Sequence, residues 1–170
     1  MAKEKKQKIL VLGVGNVLCR DDGFGVRALE YIRTRYDVPE EVLLFDGGTG
    51  GIALTSIIGE HKKVIILDAV RAGSVPGTMH RITKKNIAKS IAKTPGKTLS
   101  PHAFGVEEAL ALTGFEGRSP DDLILIGAEP LDTTSGLELS ALLKLRLPLA
   151  SEMVRTELER HGVIMKAFPP

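Results

Sequence analysis

The chain contains 170 residues, 43% of them hydrophobic, and its lysines and arginines outnumber its aspartates and glutamates by a formal net charge of only +2. This length suits one domain with a substantial core, and the small positive excess argues against a nucleic-acid-binding surface. A single cysteine excludes an internal disulfide, and the polar N-terminus and the lack of a membrane-length apolar run predict a cytoplasmic protein without membrane insertion.

Three apolar runs predict the first strands. KILVLGVG begins at Lys8 and leads through a glycine turn to Asp21 and Asp22, EVLLF leads to Asp46, and KKVIIL leads to Asp68. Continuous runs of this length are typical of strands covered on both faces. A helical pattern of apolar residues separates the first two runs, and a shorter one follows the GGTGG loop. This βαβαβ order predicts a parallel sheet with right-handed crossovers.

The second half of the chain has weaker patterns. MHRIT predicts an edge strand, and KKNIAKSIAKTPGKT predicts a loop that contains a helical turn or two. Ser100 and Pro101 are suited to begin a helix that ends near Gly114, and LILIGAE predicts a fifth strand. The last part of the chain predicts two helical pieces divided at Pro148.

These elements together predict an α/β fold. We expect a single domain over residues 1–170, with a mostly parallel, twisted sheet of about five strands and helices on both faces. Polar residues 1–7 are expected to form an N-terminal extension, and VIMKAFPP, residues 163–170, is expected to form a loose tail.

Acidic residues follow the predicted strands. In a parallel sheet, Asp21 or Asp22, Asp46 and Asp68 would all reach the carboxyl edge, and His102 at a helix start would face the same edge in an alternating fold. Two carboxylates and one imidazole would form a three-ligand site with open positions, suited to zinc, nickel, manganese or iron. Such a metal polarises a carbonyl and acidifies bound water, so the pattern indicates hydrolytic chemistry.

Structural explanations compete with this interpretation. Asp21 and Asp22 each stand where an N-cap is expected, and their spacing barely separates them as ligands. Asp46 precedes two glycines and would suit a turn, whereas Asp68 ends an apolar strand, where a buried carboxylate needs a partner or a metal. His102 could also be purely structural, as a single histidine at a helix start often is.

Several other motifs argue against alternative functions. Leu18 stands where the dinucleotide-binding fingerprint needs a glycine, and neither G-x-S-x-G nor H-E-x-x-H occurs. Acid in the first turn disfavours phosphate, and with it a nucleoside hydrolase or phosphorylase. Cys19 lies among acidic neighbours and is interpreted as a partly buried filler, and His61, His80 and His161 are interpreted as surface residues.

Six segments occur in this order along the chain: GVGNVLCRDDGFGVR, FDGGTGG, VIILDAV, PGTMHRI, LSPHAFG and LILIGAEP. Together they resemble the nickel-iron hydrogenase maturation proteases, which trim the C-terminal extension of a hydrogenase large subunit. The resemblance spans most of the chain. It implies that Asp22, Asp68 and His102 are the metal-contacting and catalytic residues, and that Asp46 has a supporting role. Cys19 and the Leu131–Asp132 pair depart from the family pattern and could affect which precursor is accepted.

The resemblance also implies where the metal comes from. In the family, the nickel is thought to belong to the substrate, so the implied partner is a nickel-loaded large-subunit precursor, with no organic cofactor and with the protease acting as a monomer. Whether the carboxylates act as metal ligands or as an aspartic-type acid/base pair is open. The alternative function is a non-catalytic chaperone or checkpoint protein that senses nickel without cutting.

Overall fold

The computed structural model describes residues 9–87 and 103–169. Within these ranges, the main sheet contains five strands: β1 (Ile9–Val14), β3 (Val42–Gly48), β4 (Lys63–Ala69), β5 (Met79–Thr83) and β6 (Asp122–Ala128). A separate short pair is formed by β2 (Tyr36–Asp37) and β7 (Lys166–Ala167).

The main sheet has the strand order β3-β1-β4-β6-β5. β1 pairs in parallel with β3 and β4, and β4 pairs in parallel with β6. β5, the MHRIT segment, lies at one edge and runs antiparallel to β6. The predicted α/β fold with a mostly parallel sheet is therefore confirmed, and the segment expected at an edge is found there.

Helices cover both faces of this sheet. Their bounds are α1 (Phe24–Arg35), α2 (Thr55–Gly59), α3 (Ala103–Phe115), α4 (Ala141–Lys144) and α5 (Leu147–Arg160). Short 3-10 turns precede α1 and α2, at Arg20–Gly23 and Gly51–Leu54. Of the helices in the described ranges, none is both long enough and apolar enough to cross a bilayer.

Two predicted helix boundaries can be compared with these bounds. Pro148 lies in the first turn of α5 and does not divide the two helical pieces, because a residue without an N–H fits the first turn of a helix. After β5, residues 84–87 are helical. The rest of the predicted loop and the predicted helix start at Ser100 lie outside the described residues.

The alternation of side chains along each strand divides the core into two layers. One layer joins residues such as Val11 and Leu67 to α1, α4 and α5, and the other joins residues such as Leu12 and Ile66 to α2 and α3. Asp68 has the same parity in β4 as Ile66. The strand therefore places Asp68 on the sheet face that α2 and α3 cover.

The C-terminal segment is attached to the domain at two points. Met165 is buried in the layer of α1 and α5, and Lys166–Ala167 pairs antiparallel with Tyr36–Asp37. The structure therefore differs here from the expected loose tail at residues 163–170. A single buried methionine in a short segment produces no periodic pattern, so the sequence gives little sign of this attachment.

Candidate active site at the carboxyl edge of the sheet

The turn between β1 and α1 packs closely against the carboxyl ends of β1 and β4. A Cβ on Gly25 would clash with the carbonyl oxygens of Leu67 and Val14, and a Cβ on Gly15, whose φ is 132°, would clash with the carbonyl oxygen of Asp22. Only glycine permits such close backbone approach. These glycines therefore bring the turn that carries Asp22 against the end of β4 at Leu67, the residue that precedes Asp68.

Asp22 and Asp68 are the two buried carboxylates of this edge that the sequence predicted as site residues. Each is only 3% exposed. Asp22 Oδ2 accepts a hydrogen bond from the backbone N–H of Asn16 at 3.3 Å, and Asp68 Oδ1 accepts one from the backbone N–H of Ala69 at 2.8 Å. Burial of carboxylates is costly, and their concentration at the carboxyl ends of adjacent parallel strands is typical of a functional site.

The third predicted site residue, His102, lies outside the described residues. In residues 9–87 and 103–169, no three histidine, cysteine, aspartate or glutamate side chains are grouped closely enough to hold a metal ion. Asp22 and Asp68 supply oxygen donors, which accept a proton or coordinate a divalent metal. The complete set of Asp22, Asp68 and His102 stays a prediction.

Asp21 has a role that the sequence did not predict. The N-cap interpretation is wrong for both aspartates, because the 3-10 turn and α1 have no side-chain cap at their first turns. Asp21 is fully buried, and its carboxylate accepts hydrogen bonds from the backbone N–H groups of Leu131, Asp132 and Ser140, at 3.0, 3.0 and 2.7 Å. Asp21 therefore fastens the segment after β6 to the turn that carries Asp22.

A second buried carboxylate, Glu129, also fastens a loop at this edge. It is 7% exposed, and it accepts hydrogen bonds from the backbone N–H groups of Ala72, Gly73 and Ser74 at 2.9, 3.3 and 3.2 Å. His80 Nε2 lies 3.4 Å from Glu129 Oε2. Sequence reasoning missed Glu129, although its place directly after the apolar run of β6 is the same signal that drew attention to Asp68.

Backbone strain occurs beside the two aspartates. Arg20 has a φ of 46°, a conformation that non-glycine residues rarely adopt, and its N–H donates to the carbonyl oxygen of Gly136 at 2.8 Å. Arg20 Nε lies 3.3 Å from Asp132 Oδ2. Hydrogen bonds from the backbone N–H and the hydroxyl of Thr134 lower the pKa of Asp132, so this exposed carboxylate is held in its charged form.

Asp46 has the turn-forming contact that the sequence suggested as the structural alternative. It is exposed, and its Oδ1 accepts a hydrogen bond from the backbone N–H of Gly48 at 2.9 Å. β3 continues through Asp46 to Gly48 and does not end before the aspartate. Asp46 pairs with Gly13 in the β1–β3 register, so it lies on the same edge as Asp22.

The other described histidines and the cysteine are at least partly buried. His61 is buried, with Nδ1 2.8 Å from the carbonyl oxygen of Ile57, so its interpretation as a surface residue is wrong. His80 and His161 are largely covered, with side chains 16% exposed. Cys19 is partly buried as expected, with Sγ 3.4 Å from the Asn16 side-chain amide.

Comparison with known proteins connects this geometry to a family. A family model described as hydrogenase maturation protease matches residues 26–157. The chain belongs to the hydrogenase maturation protease family. The matched range includes Asp68 and His102 and begins four residues after Asp22. Membership supports a peptidase that acts in hydrogenase maturation, as the sequence resemblance implied.

Individual hydrogenase maturation proteins match nearly the whole chain. The hydrogenase expression/formation protein HupD of Rhizobium leguminosarum bv. viciae is 39% identical over 163 residues, covering 95% of this chain and 79% of that protein. The hydrogenase 2 maturation protease of Escherichia coli K12 is 33% identical over 157 residues, covering 92% and 93%. The solved structure of the hydrogenase maturating endopeptidase HybD from E. coli superposes with a TM-score of 0.86 at 32% identity, covering 94% of this chain and 97% of that one.

Proposed function

We propose that this protein removes the C-terminal extension of a nickel-iron hydrogenase large-subunit precursor after nickel insertion, and that it recognises the nickel in that substrate. The observation that carries the proposal is the burial of Asp22 and Asp68 together at the carboxyl edge of a hydrogenase maturation protease fold. The protein acts as a monomer and uses no organic cofactor; the nickel belongs to the precursor.

The donor chemistry supports a metal supplied by the substrate. Two carboxylates and the predicted imidazole of His102 leave coordination positions open, so they can complete the coordination of a metal that the precursor already binds. A loaded precursor would then bind better than an empty one, and this difference in affinity provides the selection.

The cleavage step requires a base, and a buried carboxylate can provide one. Asp22 or Asp68 accepts a proton from water as the water oxygen attacks the carbonyl carbon of the scissile peptide bond. The C–N bond then breaks, and the proton passes to the departing amine. Precursor nickel either positions this carbonyl or activates the water.

The direct test is to incubate the protein with nickel-loaded and metal-free precursor and to measure the released peptide by mass spectrometry. Asp68→Asn and His102→Ala should abolish release from the loaded precursor, with unchanged circular dichroism. Asp121→Asn is the matched control, because its side chain is 75% exposed and it lies before the amino end of β6. It should cleave normally.

Three outcomes would contradict the proposal. Binding of the loaded precursor without any change of mass would favour the non-catalytic checkpoint. Equal cleavage of loaded and empty precursor would contradict recognition of nickel. Normal cleavage by Asp68→Asn would contradict the assignment of the carboxylate.

A further inference from the structure

Four large apolar side chains are exposed on the loops that follow β1, β4 and β6 at the carboxyl edge. Leu18 is 60% exposed, Val75 78%, Leu131 57% and Leu137 62%; we call these four residues the apolar rim. Leu18 follows β1, Val75 follows β4, and the two others follow β6. A single exposed leucine is ordinary, but a group on the loops around two buried carboxylates is typical of an interaction surface.

Hydrogen bonds join these loops into one surface. The carbonyl oxygen of Leu18 accepts a hydrogen bond from the N–H of Gly136 at 2.8 Å, one residue before Leu137. The N–H of Leu131 donates to the carboxylate of Asp21, which is adjacent in sequence to Asp22. The apolar rim therefore lies next to the candidate active site.

The loop that carries Val75 is joined to the same surface. Arg71 Nη2 donates to Thr133 Oγ1 at 2.6 Å, which connects the segment after β4 with the segment after β6. The N–H of Gly77 donates to the carbonyl oxygen of Glu129 at 2.8 Å, in addition to the three bonds that the Glu129 carboxylate accepts.

The apolar rim is held in place before any partner binds. Asp21 and Glu129 are both buried. Each carboxylate accepts hydrogen bonds from three backbone N–H groups of a loop that carries a residue of the apolar rim. Hydrogen bonds to a buried charge are strong, so these loops lose little further freedom when a partner docks. Preorganised loops that expose apolar side chains suit recognition of a folded partner.

We propose that the apolar rim is the docking surface for the folded body of the precursor, which presents an apolar patch next to its cleavage segment. This inference rests on the proposed function. To be cut, the precursor must reach the buried carboxylates of Asp22 and Asp68, and it has to pass the loops that surround them. The bound precursor would therefore cover Leu131 and Val75.

The test compares two variants of the full-length protein on nickel-loaded, full-length precursor. Val75→Ser combined with Leu131→Ser should raise KM, and the Kd for the precursor, about tenfold or more, because burial of these side chains on docking is lost. kcat should change little, since neither side chain contacts the reacting atoms. Phe115→Ser is the matched control and should leave KM unchanged: Phe115 is 91% exposed, but it ends α3 on the connection to the amino end of β6.

The outcomes separate the docking surface from the proposed function. Normal cleavage with unchanged KM in the double variant would overturn the docking surface alone, as would an equal rise in KM for Phe115→Ser. Weaker binding in the double variant, with no cleavage by any form, would support docking and contradict the protease. A parent protein that neither binds nor cuts the precursor would overturn both.

Discussion

Replacing Asp21 by asparagine removes one of the two acceptor oxygens that hold the segment after β6. Asp21 Oδ2 accepts from Leu131 and Asp132, and Oδ1 accepts from Ser140. An asparagine oxygen in the Oδ2 position can keep the first two bonds. Its amide NH₂ would then face the N–H of Ser140, so that two donors meet in a buried place.

The cost can be worked out from these contacts. A hydrogen bond to a charged group contributes about 1.5–3 kcal/mol, and a buried donor without an acceptor costs about 1–3 kcal/mol. The lost bond to Ser140 and the buried donor left without an acceptor both destabilise the variant, whereas removal of a buried charge partly compensates. We therefore expect the free energy of unfolding to fall by about 3 kcal/mol. For a domain of this size, that corresponds to a fall in Tm of about 6–12 °C.

Differential scanning calorimetry of Asp21→Asn and Asp22→Asn tests this reasoning. The two variants carry the same chemical change at adjacent buried positions. Asp21→Asn should unfold at the lower temperature, whereas Asp22→Asn should lose precursor cleavage with a smaller change in Tm, because its oxygen can still accept from Asn16. An unchanged Tm in Asp21→Asn, or an equal fall in both, would refute the fastening role of Asp21.

Three further substitutions test the scaffold. Gly25→Ala should lower the free energy of unfolding by about 3 kcal/mol or more, because the added Cβ would clash with the Leu67 carbonyl oxygen. Gly114→Ala should be neutral or stabilise α3 by up to about 1 kcal/mol, because among the described residues its Cβ would have no atom within 4 Å beyond its own helix backbone and chain neighbours. Urea unfolding compares the two variants, and equal losses of unfolding free energy would contradict the steric argument. Arg81→Ala should lower the free energy of unfolding by about 2 kcal/mol at neutral pH. In acid, the difference in stability between this variant and the parent should become smaller.

The direction of that pH dependence follows from Glu157. Its pKa is lowered first by the hydrogen bonds from Arg81, at 2.6 and 3.0 Å, and burial opposes this shift. A depressed folded-state pKa adds stability above the unfolded pKa of about 4.3, and that stability is lost as the pH falls through the folded value. Thermal unfolding of the parent and of Arg81→Ala between pH 7 and about 3 measures this loss of stability. A constant difference between Arg81→Ala and the parent would contradict the ion-pair explanation.

The sheet and the two site carboxylates could be predicted because their signals are local. Continuous apolar runs indicated β1, β3 and β4, and parallel strands necessarily bring the residues at their carboxyl ends to one edge. Asp22 and Asp68 lie at that edge, as the topology required. The choice of Asp22 over Asp21 came from the family resemblance, because spacing could not separate two adjacent residues.

The functions of Asp21 and Glu129 could not be predicted in the same way. Asp21 accepts a hydrogen bond from a residue 110 positions away, and no local pattern encodes that separation. Glu129 binds the N–H groups of a loop that precedes it by more than 50 positions. Both partners are backbone groups of irregular segments, which any sequence can provide, so only the folded structure identifies them.

Met165 and its short strand pair also affect the order in which the protein can assemble during synthesis. The layer beneath α2 and α3 contains residues only as far as β6, whereas the opposite layer also needs α5 and Met165. A nascent chain that has emerged only through β6 can complete the first layer but leaves Ala28 and Leu29 of α1 without their later partners. The α1 side therefore keeps apolar surface exposed until α5 and Met165 have left the ribosome and can pack there.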